Sequence, residues 1–439
     1  MFMPLLSESD PKQSQEGSID PLGMYSIADA LAIRLAPGVR ERQSRPRFLT
    51  AIAVSFAVCS AFDDEAVASD GISEPWQVFE WYVVEGLVRV LGTSGRLSRV
   101  PGTEKATAAI RDGVPLSASR YLKTPGVFGF HGVYRTLARE LRVETLDRLG
   151  EAGYETLSIW AEEQGLLGFF DSTKGPGEPW RQSLVDAVKD GLSKGHTCRS
   201  TGWAGWRFFA EHLAPDAIGK KEGKALAQAL LRDGEGFRGP VIEYLVSPDG
   251  RATLLQAASE RTLSERTFHA GLRRTAGDAL GYLLDTISAY EHFARLLQDA
   301  FDDCLYEMSQ SKRRLSPRDF GKCKSVGIAS QRVPDQFERL LEMLVPFGLG
   351  TRFEETFQDV SERQPAEAWA ASLLEHHRRV QRQKPPNGKA PWFERCDDGT
   401  YLIRASYLRD EPGLHRDEYV HYYRTGPLLS FARDLGMVK

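Results

Sequence analysis

The stretch from Ser264 to Arg274 holds residues suited to gripping a polyanion. Ser264 is a good helix N-cap, because its hydroxyl can accept from the first free N–H groups of the helix. Phe268 and Leu272, four residues apart, define an inward face, which leaves Arg266, His269, Arg273 and Arg274 to project elsewhere. Guanidinium and imidazole donors on such a face can hydrogen-bond base edges and phosphates. With Thr253–Ser259 as a preceding helix and 260–263 as the turn, the whole reads as a helix-turn-helix-like segment. The alternative is a purely structural helix pair. A second basic group, Lys312, Arg313 and Arg314, opens the stretch 311–332, where seven Lys/Arg face the single acid Asp319. Such an excess makes an exposed connector or an arm against a polyanion. The expected nucleic-acid-binding set is therefore Arg266, His269, Arg273, Arg274, Lys312, Arg313 and Arg314.

Other chemistry is thinner. Gly126, Gly129 and Gly132 precede a helix, and a Gly-rich turn feeding a helix N-terminus can hold phosphate. Their G-x-x-G-x-x-G spacing matches neither the dinucleotide nor the P-loop fingerprint, so a tight turn packed close to another helix is expected. His131 sits in that turn and is the histidine to test, against the alternative of a core histidine. His415, Asp417, Glu418 and His421 cluster near the C-terminal end without the HExxH spacing that places two ligands on one helix face. His376 and His377 point different ways on a helix. No nucleophile elbow, Walker lysine, kinase set or strand-borne Asp followed by Glu-x-Lys is present. No catalytic residue, metal ligand or cofactor is assigned.

The elements that position these residues are helical. Ile27, Ala30, Leu31 and Leu35 keep helical spacing up to the stop at Pro37-Gly38. An elbow follows, with Arg34, Arg40, Arg42, Arg45 and Arg47 against the one acid Glu41. The uncharged run from Phe48 to Phe62 then has to be a buried helix, since its fifteen residues fall short of the ~20 a membrane span needs. Pro75 opens another helix that Gly92 closes, with Trp76, Phe79, Val83, Leu87 and Val90/Leu91 as its stripe. Asp398-Gly399 marks a hairpin turn between two short strands, and Pro427–Leu435 reads as a further helix. The expected fold is mainly α and multi-helical, with a small C-terminal β-hairpin or winged element. Its expected segments are a flexible tail 1–20, a helical domain 21–170, a central helical domain 181–310, the basic connector 311–332 and an α+β part 333–439.

Composition bounds the partners. The 439 residues carry 56 Lys+Arg against 60 Asp+Glu, net -4, so a polyanion site must come from local clustering. Five cysteines without a CxxC pair suggest a reducing compartment and no structural zinc. The start of the chain lacks a secretory pattern, and a cytoplasmic protein with no membrane partner is expected.

The segment LAIRLAPGVRERQSRPRFLTAIA resembles the opening of a loose group of uncharacterised bacterial proteins, many found in restriction and phage-defence gene neighbourhoods. The shared pattern falls on Pro37, Gly38, Val39, Arg45, Arg47 and Phe48. The segment GVFGFHGVYRTLARELRV and the element at Tyr423, Arg424 and Pro427 resemble the same group. The resemblance implies a defence role and transfers no active-site residue. The functional expectation is a non-enzymatic DNA-binding or adaptor component of an anti-phage system, with DNA or protein subunits as partners. A divergent metal-dependent nuclease and a protein–protein scaffold are the alternatives.

Overall fold

Residues 48–58 illustrate how the chain builds its core. A run of Phe, Leu, Ile, Val and Ala with no charge has no solvent face to offer, so it is covered on every side. A computed structural model, which describes residues 20–92, 94–170, 174–232, 234, 236–259 (backbone alone at 254–259), 264–413 and 417–438, places them in a helix. Among the described residues there are 19 α-helices and two small antiparallel sheets, a mainly α fold. No helix among them is long and apolar enough to cross a membrane.

The chain forms two compact units, Met1–Ala32 with Glu260–Tyr423, and Ile33–Ser259 with Arg424–Lys439. Each is assembled from separated stretches, which a linear segmentation by linkers and composition cannot express. The division falls inside α1 (Tyr25–Leu35).

The second unit comprises α2 (Arg47–Cys59), α3 (Pro75–Leu91), α4 (Thr103–Arg111), α5 (Pro125–Phe128), α6 (Phe130–Glu140), β1 (Glu144–Thr145), β2 (Arg148–Leu149) and α7 (Glu151–Glu163). It continues through α8 (Gly177–Lys194), α9 (Gly205–His212), α10 (Lys220–Leu231), α11 (Arg238–Val246) and α12 (Pro248–Ser259). Helix α2 packs against α3, α6, α7 and α8. Phe48, Leu49, Ile52 and Val54 are buried and Phe56 is half-buried. Helix α3 is buried from Val78 to Val88 on all faces rather than along a stripe, while Val90 is exposed. The β1–β2 hairpin turns through Leu146 and Asp147, both with positive φ. Nothing in a Leu-Asp pair announces that turn.

The first unit holds α13 (Glu265–Arg273), α14 (Asp278–Gln310), α15 (Pro317–Phe320), α16 (Lys324–Leu344), α17 (Gly350–Ser361) and α18 (Ala366–Arg382). Helices α14 and α16 pack along each other, and α17 and α18 close over α16. The hairpin β3 (Phe393–Arg395) and β4 (Tyr401–Ile403) pairs Phe393 with Ile403. Its turn is the expected one: Gly399 has φ 79°, and Asp398 Oδ1 accepts from the Thr400 N–H at 3.0 Å. The basic stretch 311–332 is not all connector. Its second part is the start of α16, and Leu315, Phe320, Val326 and Ala329 are buried. Helix α19 (Thr425–Asp434) belongs to the second unit.

Candidate anion-binding pocket

The arginine-rich elbow is held rigidly before it presents any charge. Gly38, at φ 75°, lies so near α6 that a Cβ would sit 2.8 Å from Glu140 Cβ. Gln43, fully buried, accepts from the Arg40 N–H at 3.1 Å and donates to the Gly38 and Val133 carbonyls at 3.1 and 2.9 Å. The Ser44 and Arg45 N–H groups both donate to Tyr134 Oη, at 2.7 and 2.6 Å. Buried backbone donors need such partners, and α6 supplies them.

The elbow's arginines then divide their work. Arg47, 1% exposed, pairs with buried Glu222 at 2.9 Å and donates to the Ala217 carbonyl at 2.6 Å. Thr50 donates to the same carboxylate at 2.6 Å. Burial lowers the Arg47 pKa and raises that of Glu222, and the attraction between them opposes both shifts. Arg45 grips Asp434 of α19 at 3.0 and 3.1 Å. Arg42 instead lies over the Phe128 ring, 4.6 Å from its centroid, in cation–π geometry.

Arg42 borders a cavity of about 490 Å³ that residues 41–44 share with residues 99–101, Phe128, Val133, Gly426 and Pro427. This volume is in the range of small-molecule sites. Arg99 and Arg42 are both exposed, and among the described residues neither has a carboxylate within ion-pair distance. Glu41 is the one acid on the lining, and Arg424 stands 3.4 Å from it. Ser44 is 6% exposed; its hydroxyl lies near the Tyr134 phenol without a well-formed hydrogen bond of its own. Gly426 lies in the first turn of α19, and a Cβ there would meet open space. First-turn N–H groups carry the positive end of the helix dipole. Arg99 and Arg424 have φ of 64° and 71°. Such backbone persists in a non-glycine residue only where its surroundings impose it.

Three separated segments reach this cavity: the elbow through residues 41–44, α5 and α6 through Phe128 and Val133, and α19 through Gly426 and Pro427. Sequence reading singled out each of them separately. Arg99 carries no such local signal, since nothing in the sequence ties residues 42, 99, 128 and 427 together.

The sequence-derived basic set fares unevenly. Ser264 caps α13 as expected, accepting from the Thr267 N–H at 3.3 Å, and Phe268 and Leu272 are buried. His269 does not project outward. It is 2% exposed, enclosed by Tyr419 and Tyr423 rings at 5.5 and 5.6 Å, and burial pushes its pKa down to about 3. Its position one residue after Phe268 puts it on the inward side of a helix whose buried arc is wider than two residues. Arg266 pairs with Asp417, and Arg273 with Asp285 at 2.9 Å. Arg313 pairs with Asp319 at 2.9 Å. Among the described residues Arg274, Lys312 and Arg314 have no carboxylate within ion-pair distance. Helix α14, of 33 residues, separates the two groups along its length by roughly 50 Å at 1.5 Å per residue. The helix-turn-helix pairing is unsupported: α12 falls in the second unit, α13 in the first, and the turn 260–263 lies outside the described residues.

At the Gly-rich turn the acidic group is internal. Glu80, on α3 and fully buried, accepts from the His131 N–H at 3.0 Å and from Tyr121 Oη at 2.8 Å. A Cβ at Gly129 would lie 2.0 Å from Glu80 Oε1, and one at Gly132 would lie 2.2 Å from Gly126 C. The glycines thus permit close packing, and the N-terminus of α6 already faces a carboxyl group. Burial raises Glu80 to about 7 despite these donors. His131 is a core residue between Trp76 and Phe56, and burial, with Arg135 and Arg139 nearby, lowers it to about 3.

His376, His377 and His421 are held by structural contacts as well. His376 Nε2 meets the Leu22 carbonyl at 2.8 Å, and His377 Nδ1 the Pro21 carbonyl at 2.9 Å. His421 Nδ1 lies 2.7 Å from buried Glu291, which also accepts from Tyr423 Oη at 2.7 Å. His415 lies outside the described residues. No group of three or more His, Cys, Asp or Glu among the described residues is arranged to hold a metal ion. Comparison with family models, with curated proteins and with solved structures finds no match to this chain.

Proposed function

We propose that the chain is a non-enzymatic nucleic-acid-binding protein whose phosphate contacts centre on the elbow pocket. Its place in bacterial anti-phage defence rests on the sequence resemblance. The observation that carries the reading is the joint lining of one cavity by Arg42, Arg99 and the first turn of α19, with no carboxylate pairing either arginine among the described residues. Guanidinium forks and helix N-termini both hold phosphate oxygens. Phosphate neutralisation makes affinity fall with salt in proportion to the charges engaged.

The test titrates single-stranded and duplex DNA against the wild type and the Arg42→Ala/Arg99→Gly variant at two salt concentrations. Glycine is chosen at 99 because alanine would be strained at φ 64°. Weaker binding by the variant, with a salt slope reduced by about one to two, is expected from the loss of two phosphate contacts. Equal affinities for the two proteins, or no binding by either, overturn the reading.

A second surface has its own support. Arg266, Arg273 and Arg274 of α13 are exposed, and the partners of the first two, Asp417 and Asp285, are exposed as well. Exposed ion pairs are weak enough for a phosphate to displace. The triple Arg266/Arg273/Arg274→Ala variant belongs in the same titration, and a loss exceeding that of the elbow variant would transfer the reading to α13.

A further inference from the structure

We infer that the elbow pocket recognises a phosphate monoester attached to a nucleobase, either the terminal nucleotide of a strand or a free mononucleotide. This deepens the proposed function and rests on the same site.

Three features of the pocket separate a terminal nucleotide from internal backbone. The first is charge. A monoester carries about -1.5 to -2 at neutral pH, which matches two guanidinium groups without carboxylate partners, whereas a diester would balance only one. Glu41 stands against Arg424 at 3.4 Å and so is countered within the protein.

The second is the cavity itself. It combines a cationic rim with apolar walls, Val100, Pro101 and Pro427, in a volume of about 490 Å³. Backbone running past a groove would need charge along a track. Here Arg42 and Arg99 line a single cavity.

The third is Phe128. It is 42% exposed although aromatic, and it already carries the Arg42 guanidinium 4.6 Å from its centroid. An exposed ring with a guanidinium beside it forms a stacking platform for a base, sequence-tolerant because every base has a π face. The Ser44 hydroxyl and the Gly426 N–H, the backbone donor of α19 on the lining since Pro427 has none, would be neutral donors to the phosphate oxygens.

The experiment uses the full chain and fluorescence anisotropy of a 3′-labelled single strand carrying either a 5′-phosphate or a 5′-hydroxyl. AMP and adenosine serve as competitors. The expected result is that the 5′-phosphorylated strand binds about tenfold tighter, equivalent to ~1.4 kcal/mol, and that AMP competes while adenosine does not. In Arg42→Ala/Arg99→Gly the phosphate preference should vanish. In Phe128→Ala both strands should weaken while the preference is kept. Circular dichroism and thermal melts confirm that each variant is folded. Equal affinity for the two strands, with both weakened in the arginine variant, overturns the inference and leaves nucleic-acid binding standing. AMP binding without any strand binding supports the inference with a free nucleotide as ligand, and overturns the proposed function. Binding of neither strand nor AMP overturns both.

Discussion

The protein has two arginine-rich regions of similar composition and opposite construction. In the elbow, backbone and buried side chains fix the loop first: Gln43 and Tyr134 satisfy its N–H and carbonyl groups, and Arg47 is consumed by the core. Arg42 borders a cavity, with no carboxylate within ion-pair distance among the described residues. Around α13 and residues 311–322, by contrast, Arg266, Arg273, Arg313 and Lys322 are answered by carboxylates on the surface. Asp319 takes Arg313 at 2.9 Å and Lys322 at 3.8 Å, and donors from Arg313 and Ser316 hold its carboxyl well below the usual range. The cavity of about 380 Å³ beside Arg313 is lined by Glu307 and Asp319 as well as by the cations. A count of Lys and Arg ranks the second region higher. The lining of the two cavities reverses that order, with Glu41 alone on the first and Glu307 and Asp319 on the second.

The sharpest way to test this contrast is to break the buried pair. Glu222→Ala leaves the Arg47 guanidinium charged, 1% exposed and without its carboxylate. Losing one partner of a buried pair costs about 3–5 kcal/mol, so the denaturant midpoint should drop steeply. The double variant Arg47→Met/Glu222→Leu should recover most of the loss. A single variant as stable as the wild type would mean that the elbow is not organised around this pair.

The next effect is on acid stability, and it involves both units. Burial holds His131, His269 and His377 near 3 and His376 near 4, against about 6.5 when unfolded. These are depressed bases, so the unfolded chain takes up protons first. The stability they contribute is complete above pH 6.5 and drains away as pH falls toward 4. His269→Phe should therefore flatten the loss between pH 6.5 and 4.5 and leave DNA affinity unchanged. Weaker DNA binding by that variant would restore His269 to the interface.

Glu80 has the opposite sign. Its folded value, about 7, lies above the unfolded ~4.3, so its contribution is full at low pH and lost as pH rises through 7. Glu80→Gln should gain stability relative to the wild type between pH 5 and pH 8. A constant difference across that window would contradict a protonated Glu80.

The smallest effect belongs to the surface pair. Arg273→Ala breaks a contact between two half-exposed side chains, and the unfolding midpoint should stay within error of the wild type. A clear drop would show that α13 is built as firmly as the elbow.

Local signals were legible where physics is local. The uncharged run from Phe48 had to be a buried helix, though it is one only as far as Cys59 and Ser60 and Ala61 are exposed; Pro75 had to open one, Ser264 had to cap one, and Asp398-Gly399 had to turn a hairpin. Each rests on one residue's backbone preference or on a single period. The buried carboxylates were not legible, because Glu80 and Glu85 sit in a helix whose apolar spacing suggested one stripe, and their partners Tyr121 and Thr197 lie far along the chain. The pocket was hidden for the same reason: its pieces were visible as an elbow, a glycine turn and a Tyr-Arg pair, but no periodicity brings them together. His269 was misjudged because one helical repeat does not fix the width of a buried arc.

The discontinuity of the second unit also has a consequence for synthesis. Residues 424–439 complete that unit, yet the ribosome makes them only after all of 260–423. Until they emerge, Asp434 cannot meet Arg45, and Gly426 and Pro427 cannot close the cavity. The stretch 33–259 must wait, partly finished, while the whole intervening unit is translated. The cavity at the elbow is thus a feature the nascent chain completes only after residues 424–427 have been added.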